Sequence, residues 1–197
     1  GSGICHAAPG LKSCSAVLSS DLAPLLMALD ASVKIAGAAG ERTIKLKRLY
    51  ADDGMNHLAL GRGEVLTEIT IPPQPANVRT AFKKLRRRKS IDYPLVNVGA
   101  SAEVDEDSIV RSIRIVVGAV QSMPVELQSS QNVLLGKRLT PEVIDRAAEA
   151  AAGHVKPLPN AIEPVLYRKV MVKRLVKEAL EDLMSPAPRT RPSSAEG

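Results

Sequence analysis

Two cysteines and one aspartate are the residues of this chain whose types could serve a cofactor. Cys5 and Cys14 lie nine residues apart in a segment rich in glycine and serine. Thiolates hold iron–sulfur clusters, but a cluster takes four ligands, so two free thiols are an equally simple interpretation of this pair. Asp21 opens the sequence Asp-Leu-Ala-Pro, where its carboxylate can serve a ligand or cap the helix that follows. The three histidines, at 6, 57 and 154, lie in unrelated contexts, which argues against a hydrolytic triad.

Positive charge is concentrated in two runs. The chain has 27 Lys and Arg against 21 Asp and Glu, a net charge of +6, and much of the excess lies in 83–89 and 168–177. This suits an anionic ligand or partner, although a basic run can equally be a solvated face. A nucleic-acid-binding module is disfavoured, because no aromatic residues interleave with the first run and the chain has one Phe and no Trp.

The composition predicts a globular protein with an aliphatic core. Its 197 residues fit one large domain or two small ones, and 45% are hydrophobic. No apolar run is long enough to span a bilayer, and no secretory signal is visible. Two cysteines do not make a disulfide scaffold, so we expect a cytoplasmic location.

The first 73 residues are expected to form a small α/β unit. Ser20 or Asp21 can cap a helix over 22–29, and alternation predicts strands at 32–36 and 42–46 around a Gly-rich turn. A turn or short helix follows over 49–54. A third strand over 64–71 ends at Pro72-Pro73, where we place a boundary between subdomains.

The second half predicts an α+β domain over 77–183. Strands are expected at 79–86, 97–104 and 109–118, and helices at 125–135, 141–152 and 165–183. Thr140-Pro141 is a strong helix start. This order gives a three-stranded antiparallel sheet packed on a three-helix bundle. The last residues, 184–197, hold three prolines and no apolar periodicity, so we expect a disordered tail.

An ordered series of short motifs resembles the FAD-binding medium subunit of the molybdenum hydroxylases, the family of xanthine dehydrogenase and carbon monoxide dehydrogenase. The motifs are Ser-Asp-Leu-Ala-Pro at 20–24, Gly-Glu-Val-Leu-Thr-Glu-Ile-Thr-Ile-Pro at 63–72, Ala-Phe-Lys at 81–83, Asp-Tyr-Pro at 92–94 and Tyr-Arg-Lys at 167–169. The series covers nearly the whole chain. It implies a C-terminal fragment, in which 1–73 are the last part of an FAD-binding domain whose N-terminal subdomain is missing. Residues 77–183 are then similar to the C-terminal domain of carbon monoxide dehydrogenase flavoproteins.

The resemblance implies three residues at the FAD. Asp21 is similar to the acid in the turn that holds the dinucleotide, Leu66 to the residue beside the flavin ring, and Lys83 to the cation at the ligand. A lysine suits a pyrophosphate as a point charge, and a cation near a flavin stabilises its anionic reduced form. Taken singly, the three residues are equally consistent with a helix cap, a core leucine and a solvated lysine.

The loop before Asp21 resembles a subtype of the family. It is longer than in most relatives and is similar to the β subunit of 4-hydroxybenzoyl-CoA reductase, where four cysteines of an inserted loop hold a 4Fe–4S cluster. The resemblance implies that Cys5 and Cys14 are the last two ligands of such a cluster.

The family implies an electron-transfer subunit with no substrate chemistry of its own. Its partners are a molybdopterin-binding large subunit and a 2Fe–2S small subunit, and in the reductase a ferredoxin delivers the electrons. The basic run 168–177 is expected to face a partner. The alternative is a structural domain that docks subunits and binds no cofactor by itself.

Overall fold

The computed structural model describes residues 14–157 and 163–184, which form two antiparallel sheets and four α-helices. The first part contains helix α1 (Ala23–Ala28) and strands β1 (Ser32–Gly37), β2 (Gly40–Lys45) and β3 (Val65–Thr70), with a short 3-10 turn at Leu46–Arg48. The strand order is β2-β1-β3. Gly40 closes the β1–β2 hairpin at φ 111°, a conformation that favours glycine.

The second part is a four-stranded sheet with three helices. Its strands are β4 (Val78–Leu85), β5 (Val96–Val104), β6 (Val110–Gly118) and the two-residue β7 (Val125–Glu126), in that spatial order. Helices α2 (Gln128–Leu134), α3 (Pro141–His154) and α4 (Val165–Met184) follow. Thr140 caps α3, since its hydroxyl accepts a hydrogen bond from the Val143 N–H at 3.4 Å.

Two hydrophobic clusters occupy opposite faces of the second sheet. The larger cluster lies between this sheet and helices α2, α3 and α4. The smaller one joins α1 and the first sheet to Val116 of β6. Helix α1 approaches the second sheet closely because β5 and β6 present glycines to it: a Cβ on Gly99 would lie 2.5 Å from the Leu25 backbone, and one on Gly118 2.7 Å from the Pro24 ring.

The predicted mixed fold is confirmed, with differences in detail. The predicted sheet of three strands has a fourth, because the first two residues of the expected helix 125–135 pair with β6 as β7. Of the two possibilities for 49–54, a turn or a short helix, no helix forms: the 3-10 turn comes three residues earlier, at Leu46–Arg48, and the segment turns and bends, with Tyr50 bridging to Leu58. Helix α4 ends at Met184, and the rest of the predicted tail lies outside the described residues. Within the described ranges, no helix has the length and apolar character required to cross a membrane.

Candidate functional site

The turn that carries Asp21 is fixed to the second sheet by a buried asparagine. The Ser20 hydroxyl accepts a hydrogen bond from the Ala23 N–H at 3.2 Å, so Ser20 rather than Asp21 supports the start of α1. The side-chain amide of Asn97, in β5, donates to the carbonyl oxygens of Ser20 at 2.7 Å and Asp21 at 3.3 Å. Asn97 is fully buried. The Asp21 carboxylate is therefore held on a rigid support and is free of a capping role.

Lys84 connects this turn to the loop between β4 and β5. Its Nζ lies 2.7 Å from one carboxylate oxygen of Asp21 and 2.8 Å from the other. The same Nζ donates to the main-chain carbonyl of Asp92 at 2.7 Å. The Lys84 side chain is only 16% exposed, while that of Asp21 is 51% exposed. We call Asp21, Lys84 and Asp92 the Lys84 bridge.

Asp92 organises the β4–β5 loop. Its carboxylate accepts hydrogen bonds from the backbone N–H groups of Arg88 and Tyr93, both at 3.0 Å, and from the Arg88 guanidinium. The Arg88 side-chain hydrogen bonds are the main reason why the pKa of Asp92 is lowered to about 2. The loop holds Ile91 and Tyr93 outward, with 97% and 78% of their surface exposed. An ordered loop thus presents an apolar and an aromatic side chain beside the Lys84 bridge.

Lys83 lies on the opposite face of the sheet from Lys84, because successive side chains of a strand alternate. Lys84 pairs in register with Asn97, on the face that α1 covers, and Lys83 pairs with Val98. The Lys83 Nζ forms an ion pair with Asp182 of α4 at 2.8 Å. The structure therefore brings Lys84, and not Lys83, to Asp21. The cofactor role assigned to Lys83 stays a prediction.

Leu66 lies in the first sheet and is half-buried. It pairs in register with Ile35 and packs against the smaller hydrophobic cluster. Its side chain thus supports the core between the first sheet and α1, and its contact with a flavin stays a prediction.

Cys14 is a free cysteine at the start of the described residues. Its N–H donates to the Asp53 carboxylate at 3.2 Å, its carbonyl accepts from the Gly54 N–H at 2.7 Å, and its sulfur accepts from the Ala16 N–H at 3.4 Å. Cys5 lies outside the described residues. In residues 14–157 and 163–184, no group of three or more His, Cys, Asp or Glu side chains is arranged to hold a metal ion.

Sequence reasoning missed three residues that shape this region: Lys84, Asn97 and Arg168. Lys84 can be found from the alternation of side chains along the strand. Lys83 shares its face with Ala81 and Leu85, which turn toward the core, so Lys84 must lie on the other face. Asn97 lies between two valines, Val96 and Val98, in an apolar stretch of its strand. A polar side chain in such a stretch is expected to be buried and to need hydrogen-bond partners. No local signal distinguishes Arg168, which is buried although the other cations of the run 168–177 are exposed or partly exposed.

Comparison with known proteins gives consistent matches over most of the chain. The family model described as the CO dehydrogenase flavoprotein C-terminal domain matches residues 80–183, and the one described as the FAD binding domain in molybdopterin dehydrogenase matches residues 4–74. The 6-hydroxypseudooxynicotine dehydrogenase complex subunit alpha of Paenarthrobacter nicotinovorans is 28% identical over 88% of this chain and 57% of its own length. The carbon monoxide dehydrogenase medium chain of Afipia carboxidovorans is 28% identical over 82% of this chain and 54% of its own.

A solved structure shows the same fold. Carbon monoxide dehydrogenase from Hydrogenophaga pseudoflava superposes with a TM-score of 0.77 at 25% identity, covering 84% of this chain and 56% of that one. The chain therefore spans a little over half the length of the proteins that it matches.

Proposed function

The chain belongs to the family of the CO dehydrogenase flavoprotein C-terminal domain, here preceded by an FAD-binding domain of the molybdopterin dehydrogenase type, and we propose that it forms the flavin-binding part of the medium subunit of a molybdenum-containing oxidoreductase. The proteins that it resembles are subunits of dehydrogenases. In this proposal the chain passes electrons between FAD and iron–sulfur centres, and its partners are a molybdopterin-binding large subunit and a 2Fe–2S small subunit.

One observation carries the proposal: the Lys84 bridge joins the two matched segments at the predicted site. Asp21 lies in the segment that matches an FAD-binding domain, whereas Lys84 and Asp92 lie in the segment that matches the flavoprotein C-terminal domain. A ligand held between two domains needs residues from both, and this contact supplies them.

The exposed side chains around the Lys84 bridge fit a planar cofactor. Leu22 follows Asp21 in the chain and is 65% exposed. Phe82 shares the strand face of Lys84 and is 38% exposed, and Tyr93 follows Asp92 and is 78% exposed. Apolar surface of this kind can cover an aromatic ring, and the half-exposed Asp21 carboxylate can accept hydrogen bonds from it. When bound, FAD would supply the capacity to take up two electrons and to release them one at a time.

Within this site the residues of the chain bind and orient. Asn97 holds the Asp21 turn, and Asp92 holds the loop that carries Tyr93. Lys84 keeps the turn and the loop at a fixed distance, and its ammonium group would supply a cation to a flavin bound there. The test is flavin binding by the full chain, measured by titration calorimetry and by the visible flavin band, with Lys84→Met and Lys83→Met as a matched pair.

The two lysine variants distinguish the two assignments of the cation. Each removes one positive charge and one ion pair of adjacent residues on opposite faces of β4. We expect Lys84→Met to weaken FAD binding about tenfold, which is the size of the effect of losing one charge-assisted hydrogen bond. Lys83→Met should leave FAD binding unchanged. A loss in Lys83→Met alone would instead support the assignment implied by the resemblance. A folded wild-type chain that binds no flavin would support the alternative, a structural domain that only docks subunits.

The 4-hydroxybenzoyl-CoA reductase subtype and its 4Fe–4S cluster form a separate part of the proposal. They rest on Cys5, Cys14 and the long loop before Asp21. Anaerobic reconstitution with iron and sulfide tests them: the subtype predicts a broad iron–sulfur absorption that is lost in Cys14→Ser. A reconstituted chain that lacks this absorption and shows only the flavin band once FAD is added would count against the cluster and keep the flavin site.

A ferredoxin as electron donor belongs to this subtype. The structure gives little support, however, to the hypothesis that an acidic ferredoxin docks on the positive charge of α4. Three cations of the helix pair with acidic residues of α3 or of α4 itself: Lys173 with Glu149, Arg174 with Glu178, and Lys177 with Asp145. Arg168 is buried.

A further inference from the structure

Arg168 is a buried cation whose charge has no described counterpart. It lies in the first turn of α4 and is 2% exposed. Its Nη2 donates to the main-chain carbonyl of Ala119, and its buried Nη1 has no hydrogen-bond partner among the described residues. Burial lowers the pKa of the guanidinium. Among residues 14–157 and 163–184, no carboxylate forms an ion pair with it.

A buried guanidinium without an anion is unusual in a folded protein. Buried charges are normally paired, and a buried N–H group without an acceptor is destabilising. The described residues contain one other buried polar side-chain atom without a partner, Asn97 Oδ1. It faces the Gly118 backbone, and there is no space for a ligand between them, since even a Cβ on Gly118 would lie 2.4 Å from it. Arg168, in contrast, lines a cavity.

The cavity has a volume of about 300 Å³, which is at the lower end for small-molecule sites. It lies between the β4–β5 loop, the segment before Asp21 and the beginning of α4. Besides its charged side chains, its wall is apolar at five positions and polar at Ser19. The apolar positions are Val17, Tyr93, Pro94, Leu95 and Ala119.

The wall carries four charged side chains: Arg87, Asp92, Glu163 and Arg168. Arg87 forms an ion pair with Glu163, and Asp92 accepts hydrogen bonds from Arg88, which lies outside the lining residues. With Arg88 counted, one positive charge, that of Arg168, is left over. A monoanion balances it, whereas a phosphate dianion would add a second negative charge beside two carboxylates.

We propose that this cavity binds a small organic monocarboxylate, with its carboxylate on Arg168 and its apolar body against Tyr93, Pro94 and Leu95. A guanidinium matches a carboxylate in geometry, and the Nη1 of Arg168 is a buried donor that lacks an acceptor among the described residues. The proposed cavity shares Asp92 and Tyr93 with the proposed flavin site, but it uses neither Asp21 nor Lys84, so the loss of FAD binding in Lys84→Met does not by itself predict a loss of benzoate binding.

The test uses the full chain and benzoate as the probe. Binding is followed by titration calorimetry and by tyrosine fluorescence, since the chain has three Tyr and no Trp. We expect saturable binding of benzoate and at least about tenfold weaker binding of benzamide, which has the same shape without the charge. Equal binding of the two, no binding of benzoate, or inorganic phosphate competing as well as benzoate would each overturn the proposal.

Three variants locate the site. Arg168→Lys should weaken benzoate binding about tenfold, while Lys169→Met, which removes a charge from the neighbouring position, should leave it unchanged. Glu163→Gln removes a negative charge from the wall and releases Arg87, so it should strengthen binding severalfold even if Arg168→Lys fails to fold. Unchanged binding in Glu163→Gln would place the benzoate elsewhere and reject the assignment.

Discussion

Gly99→Ala is the substitution that most directly tests how the Asp21 turn is supported. Gly99 lies in β5 beneath α1, and a Cβ at this position would lie 2.5 Å from the Cα and N atoms of Leu25 and 2.6 Å from the carbonyl carbon of Pro24. All three are backbone atoms, so no side-chain rotation can relieve the contact. The helix itself has to move.

The size of the movement follows from these distances. Ordinary contact between carbon atoms is about 3.5–4.0 Å, so α1 must shift by roughly 1 Å. The Asp21 turn leads directly into α1, and the Lys84 Nζ is now 2.7 Å from the Asp21 carboxylate. A shift of that size would lengthen the contact beyond the hydrogen-bond limit of about 3.2 Å. Overpacking of this kind costs about 1–3 kcal/mol of the free energy of unfolding.

Thermal and urea unfolding measure this effect. For a chain of this length each kcal/mol lowers the melting temperature by about 2–4 °C. Gly153→Ala is the matched control, because Gly153 lies in α3 and a Cβ there would meet no atom within 4 Å, so alanine should stabilise the helix by about 0.5–1 kcal/mol. If Gly99→Ala were as stable as wild type, α1 would not be packed on β5 as described, and the support of Asp21 would have to come from elsewhere.

Two further predictions concern Asn97 and Asp92. Asn97→Leu removes the amide that binds the carbonyls of Ser20 and Asp21, so it should lower the free energy of unfolding in urea by about 1–3 kcal/mol, and an unchanged midpoint would contradict the role of Asn97. The pKa of Asp92 is about 2 in the folded chain, below the ordinary value of about 3.9, because Arg88 binds the ionised form. Its contribution to stability is therefore present above about pH 4 and is lost as the pH falls toward 2, so Asp92→Asn should reduce the acid dependence of the melting temperature; an identical acid profile in the variant would refute this.

Most of the fold follows from local sequence patterns. The strands expected at 97–104 and 109–118 are β5 and β6 with their starts shifted by one residue, and the helix start at Thr140 is the observed one. These elements have long periodic patterns and clear end signals. The pattern fails at β7, where two residues pair with β6 although the sequence around them suits a helix, because pairing with a distant strand overrides a short local preference.

The candidate site was less predictable, because its contacts depend on strand faces and on long-range packing. Asp21 and Lys84 are 63 positions apart in the chain, and only the register of β4 on β5 decides which lysine reaches the turn. A shift of one residue along a strand moves every side chain to the other face, so neighbouring lysines have different partners. The motif Ala81-Phe82-Lys83 directed attention to one lysine, and the geometry of the sheet places its neighbour beside Asp21.

The basic run 83–89 shows why charge alone did not identify a binding surface. Four of its cations pair with carboxylates of four different parts of the chain: Lys83 with Asp182, Lys84 with Asp21, Arg87 with Glu163 and Arg88 with Asp92. Each exposed pair contributes little and weakens in salt. Together, however, they connect the β4–β5 hairpin to the turn before α1, to both ends of the α4 region and to its own loop. The run therefore acts mainly as a set of internal connections, and charge reversal within it would alter the structure of the site before it altered the attraction to a partner.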